Sequence, residues 1–179
     1  MIKSLLLAAA VAVPVAEGVA LPVAASERDR QFFQSVEGQW SGPGEIVAGK
    51  YKGTRFICNF TGTTPDNKLG MALNGGCRVG LFSQNMSASV AKAGGGYKGA
   101  FLDGAAGKGL DITSGTISGN KVTLALKRNK LDGAMLARMA DDDTMNVTIS
   151  VKVESQMVPV IGIKLNRLDQ RSVGAIAAE

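Results

Sequence analysis

The chain has 179 residues, a formal net charge of +5, 45% hydrophobic residues and no histidine. That length suits one domain with a modest core. The missing imidazole removes the commonest general base and transition-metal ligand, so Ser-His-Asp and Cys-His catalysis are excluded.

The first residues read "MIKSLLLAAAVAVPVAEGVALPVAASERDR". Lys3 is a short positive region, Leu5 to Ala16 is an apolar run, and "PVAA" (22–25) offers small residues before Ser26. This is the layout of a secretory signal peptide over residues 1–25, with cleavage after Ala25 or, alternatively, Ala20. The run is too short for a membrane span, and no later segment reaches that length, so no transmembrane segment is expected in the mature chain. The expected location is the periplasm. Removing the leader takes away only Lys3 and Glu17, so the charge of +5 is unchanged. The basic residues are scattered and lack aromatic interleaving, which argues against nucleic acid. A diffuse positive surface suits either plain solubility or an anionic envelope partner.

Residues 26–38, "SERDRQFFQSVEG", form the lead-in. Ser26 is a candidate N-cap, Phe32, Phe33 and Val36 supply an apolar helical stripe, and Gly38 is placed to end the helix.

From residue 39 to residue 168 the period is two. Phe56, Cys58 and Phe60 share one face of "TRFICNFTG". "KLGMALNGGCRVGLF" alternates Leu69, Met71 and Leu73, then Cys77, Val79 and Leu81. Met86, Ala88 and Val90 follow, then Val122, Leu124 and Leu126. In "TMNVTISVKVES" Met145, Val147, Ile149, Val151 and Val153 oppose Asn146, Thr148, Ser150, Lys152 and Glu154. This is a sheet with one dry face and one wet face. Turn signals stand at "TTPDNK" (63–68), "NGG" (74–76), "KAGGGYKG" (92–99), "DGAAGKG" (103–109), "SGN" (118–120) and "ESQ" (154–156). Short strands at even spacing predict an all-β antiparallel meander, a barrel or a sandwich. The preferred reading is a single up-and-down β-barrel of about eight strands behind a short N-terminal helix. "LDGAMLARMADDD" (131–143) breaks the period and is expected as a helical turn or a long loop. Residues 169–179 are expected as a flexible tail.

The two cysteines, Cys58 and Cys77, form an even count in an exported chain, so one disulfide is expected. It closes a loop of about 20 residues and contributes on the order of 3 kcal/mol by restricting the unfolded chain.

Trp40, the only tryptophan, follows Gly38 at the start of the first strand. It is expected to plug the closed end of the barrel, because an aromatic side chain buries on the order of 200 Å². In the last strand, "MVPVIGIKLNRLD", Ile161, Ile163 and Leu165 share parity with Arg167, which is then placed to lie across the indole. On Gly38, Trp40 and Arg167 the chain resembles the calycin superfamily of lipocalin-like barrels. There a Gly-x-Trp opens the first strand after a short helix, and an arginine near the end of the final strand packs on it. The chain departs from typical lipocalins in lacking their Thr-Asp-Tyr-like middle motif. "EGQW" with Cys58 and Cys77 is also similar to small periplasmic inhibitors of bacterial metalloproteases, which are eight-stranded barrels with one disulfide. That resemblance implies that an N-terminal segment, here Ser26 to Arg30, enters a protease cleft.

Other motifs carry little chemistry. Asp103, Asp111, Asp141, Asp142 and Asp143 stand mostly in turn-like sequence, and "DDDTMN" lacks the ligand pattern of an EF-hand. "GAAGKGLD" has Gly109 where a phosphate loop needs Ser or Thr. Asn59, Asn85 and Asn146 head Asn-x-Ser/Thr triplets but read as polar strand positions. No cofactor, metal or catalytic residue is expected.

The expected function is therefore non-enzymatic binding of a small apolar, lipid-like or amphipathic ligand in the cell envelope. Met71, Met86, Phe101, Met145, Val147 and Ile149 are the candidate lining. The alternative is a filled barrel that engages an envelope protein, or inhibits a protease, through its loops and N-terminal segment.

Overall fold

Alternation of side chains sets up the sheet. In β2 (Arg55–Thr63) Cys58, Phe60 and Gly62 are buried while Ile57, Asn59 and Thr61 are exposed. The computed structural model describes residues 23–102, 104 and 109–168. The expected leader and tail therefore lie almost wholly outside the described residues, as does most of the "DGAAGKG" turn.

Among the described residues one helix, α1 (Val23–Ser35), precedes ten strands. These are β1 (Gly38–Ile46), β2, β3 (Gly70–Val79), β4 (Phe82–Ala93) and β5 (Gly96–Leu102). They continue with β6 (Leu110–Ser118), β7 (Lys121–Arg128), β8 (Leu131–Met139), β9 (Thr144–Val153) and β10 (Gln156–Arg167). Each strand pairs antiparallel with its sequence neighbours, and β10 returns to β1 to close the barrel. Closure removes the strand edges that an open meander would expose.

The expectation of eight strands is corrected to ten. Residues 131–139, expected as a helical turn or loop, form β8. Their alternation is weak because Ala134 and Leu136 face outward between inward Met135 and Ala137, so both faces read apolar. "NGG" is not a turn but part of β3. A Cβ on Gly75 would sit 2.0 Å from the Asn59 carbonyl oxygen, so glycine there lets two strands approach. The turn itself is Gly80–Leu81, with Gly80 at φ +56°. The alternation through "RVGLF" breaks at the same place: Val79 and Leu81 are exposed.

α1 ends at Ser35, three residues before Gly38, the expected stop, and begins at Val23, so Ser26 lies inside it and not ahead of it. Gly38 does not end the helix; it opens β1 with φ +103°. The disulfide joins Cys58 to Cys77, which are register partners across β2 and β3.

Candidate functional site

The functional geometry begins where α1 meets the barrel. A helix end leaves carbonyls without intrahelical partners. Here the first strand and the last strand satisfy them. Trp40 Nε1 donates to the Val36 carbonyl at 2.9 Å, and Arg167 donates to the carbonyls of Glu37 and of Ser35, the latter at 2.8 Å. A cation is favoured at this end of the helix dipole. Trp40 is fully buried, and the Arg167 guanidinium carbon lies 4.3 Å from its ring centroid. Gly38 sits beneath this contact: a Cβ there would lie 3.1 Å from an Arg167 nitrogen.

The "DDD" loop completes the clamp. Arg167 donates to the Asp142 carbonyl at 3.0 Å and pairs with the Asp143 carboxylate at 3.3 Å, while the Asp143 N–H donates to the Asp141 carboxylate. These aspartates hold Arg167. No cluster of three or more possible metal ligands occurs among the described residues.

α1 closes this end of the barrel with Phe32 and Phe33, and Val36 just after the helix joins them; all three are buried. Phe33 meets the edge of Tyr97 at 5.1 Å between ring centroids. The Tyr97 hydroxyl donates to the Asp29 carboxylate at 2.6 Å, and Lys92 Nζ lies over the Tyr97 ring at 4.8 Å. Burial, and then the Asp29 hydrogen bond and charge, push the Tyr97 phenol well above its ordinary range. Ser26 to Arg30, the segment that the inhibitor resemblance assigns to a protease cleft, lies within α1 and is anchored here through Asp29.

Beneath the helix is a chamber of about 100 Å³. Every side chain that lines it is apolar. Met71, Phe101, Met145, Val147 and Ile149, five of the six candidate residues, are among them. The sixth, Met86, is not. It lies nearer the far end of the barrel, its sulfur 3.9 Å from Cys77 Sγ, in a layer with the disulfide. The lining also takes Met135 from the unforeseen β8 and Phe32 and Phe33 from the helix. A ten-stranded barrel is wider than the eight-stranded one whose side chains just fill it, which accounts for the void.

The opposite end is the mouth. It is formed by residues 47–54 and by the turns at Gly80–Leu81, Asn129–Lys130 and Glu154–Ser155. A broader depression of about 770 Å³ crosses β9, β10, β1 and β2 on the barrel wall. It is open to solvent and flanked by the Arg55–Glu45 pair, so it desolvates a guest poorly.

No protein-family model matches the chain, and no curated protein matches it. Among solved structures, the crystal structure of Rv2717c from M. tuberculosis is similar over 79% of this chain and 98% of its own. The sequence identity is 11% and the TM-score 0.47.

Proposed function

We propose that the protein is an exported, non-enzymatic barrel of the periplasm that binds a small apolar guest in the chamber beneath α1. The observation that carries this reading is the lining: a chamber inside the barrel with no polar side chain in its wall. Such a void stays dry and gains by taking an apolar guest. The volume sets the guest's size. An engineered cavity of about 150 Å³ in another protein holds benzene, so about 100 Å³ suits a guest of similar size or smaller. A longer lipid-like chain requires Met71, Met135 and Met145 to change rotamer, and methionine is the side chain best able to do so.

The same volume favours the second reading, a filled barrel acting as an envelope interaction module. Ligand pockets for drug-sized molecules run to roughly 300–1,000 Å³, well above this chamber.

Native mass spectrometry of the protein from its own cells, followed by NMR titration with benzene, separates the two. A small adduct, or saturable shifts confined to chamber residues, is the expected result. A bare mass together with no shift at any chamber residue overturns the ligand reading and leaves the filled barrel.

A further inference from the structure

The exposed apolar residues are not spread over the surface. Of the large hydrophobic side chains exposed among the described residues, all but Leu136 and Leu168 lie in the mouth half of the barrel. Leu81 is 98% exposed and Phe82 84%, both at the β3–β4 turn. Tyr51 stands on the β1–β2 loop, Leu131 beside the β7–β8 turn, and Val153 and Met157 flank the β9–β10 turn. Singly exposed hydrophobics are ordinary, but their convergence on one end of a closed barrel marks an interaction surface.

Charge at the same rim selects the partner. Lys50, Lys52, Arg78, Lys130 and Lys152 are exposed around the mouth, with Glu154 among them. Arg55 and Lys127 are there as well, paired with Glu45 and Asp132. Apolar tips ringed by lysine and arginine are the chemistry of a surface that enters the headgroup layer of an anionic bilayer. The apolar side chains reach the acyl boundary while the basic heads stay at the phosphates. A second copy fits less well, because mouth-to-mouth contact would set like charges against each other.

We propose that the mouth rim docks the barrel onto an anionic phospholipid surface, with α1 and its Trp40–Arg167 clamp facing away from the membrane. The described residues contain no helix long and apolar enough to cross a membrane, and this docking needs none. It does not depend on whether the chamber is occupied.

The test is co-sedimentation of the purified protein with phosphatidylcholine vesicles and with vesicles in which part of that lipid is replaced by phosphatidylglycerol. Binding is expected to the anionic vesicles, with at least about tenfold preference over the neutral ones. The double variant Leu81→Ser, Phe82→Ser should bind on the order of tenfold more weakly or worse. Lys50→Gln and Lys52→Gln should each weaken binding to the anionic vesicles by roughly fivefold, and added salt should do the same. Leu136→Ser, which removes an exposed leucine from the barrel wall away from the rim, should change nothing. These positions are exposed, so an unchanged melting curve is expected to accompany each result. No binding to anionic vesicles, no preference for them, or binding indifferent to Leu81 and Phe82 would overturn the proposal. So would a dimer that the Leu81→Ser, Phe82→Ser variant abolishes, since the rim would then be a contact between copies.

Discussion

Arg167 lies across Trp40, its guanidinium carbon 4.3 Å from the ring centroid, and the two residues are register partners across β10 and β1. One arginine thus joins the last strand to the first, and both to the end of α1. Closing a barrel and capping a helix are separate problems in most folds. Here they share a pair of side chains.

Removing either partner should therefore cost more than its own contacts. Trp40→Ala is expected to lose about 3–5 kcal/mol, through lost burial and the cavity left behind. Arg167→Ala should lose about 2–3 kcal/mol, because the cation–π contact goes and the carbonyls of Ser35 and Glu37 lose their donor. The double variant should fall short of the sum by on the order of 1 kcal/mol or more, since the residues touch. Urea unfolding followed by far-UV circular dichroism measures all three, and Trp40 emission follows the wild type and Arg167→Ala as well. Native Trp40 emission should be blue-shifted and resistant to iodide. Additive losses would sever the pairing.

The disulfide between Cys58 and Cys77 should leave no thiol reactive in the unreduced, denatured protein. It closes a loop of sequence separation 19, so the variant Cys58→Ala, Cys77→Ala is expected to lose about 3 kcal/mol. Mass-resolved thiol labelling and denaturant melts check both statements. Labelling at either cysteine before reduction would contradict the pairing.

Tyr97 gives the fold a sensitivity to alkali. Its phenol is held above its ordinary value by burial first and Asp29 second, so the neutral form is favoured in the folded state. The stabilisation is fully present below the unfolded tyrosine value, near about 10, and drains away as pH rises beyond it, at up to about 1.4 kcal/mol per pH unit. Stability measured from pH 8 to about 11.5 should fall more steeply in the wild type than in Tyr97→Phe. Parallel curves for the two would show that Tyr97 ionises as freely when folded as when unfolded.

The fold was legible where one face was wet. β9 could be read directly because Asn146, Thr148 and Lys152 separate its apolar residues. β8 could not, because Ala134 and Leu136 put apolar side chains on the outer wall and its Ala, Met, Leu and Arg content favours a helix. Missing that strand also hid Met135 from the chamber. The plug was legible from Gly38, Trp40 and Arg167, but its carbonyl contacts were not, since backbone acceptors leave no mark in a sequence. Met86 has the right parity for the interior. Parity gives the face of a strand and not the depth along the barrel, so its place beside the disulfide needed the register.

The chamber itself can be tested by filling it. Ala137 is buried on its wall, between register partners Val122 and Val147. A water molecule's share of liquid volume is about 30 Å³, so a void of about 100 Å³ has room for on the order of three small groups. Ala137→Leu adds three carbons at that point. If the void is present in solution, their burial gains about 0.8 kcal/mol per carbon before losses to rotamer entropy and imperfect fit, so a net gain of about 0.5–1.5 kcal/mol is expected. The same change should abolish the chamber shifts caused by benzene. Ala134→Leu, on the outward face of the same strand, should leave those shifts intact. Overpacking a core that is already full costs typically 1–3 kcal/mol instead. Denaturant melts of Ala137→Leu therefore distinguish a hollow barrel from a filled one by the sign of the stability change, without any knowledge of the natural guest.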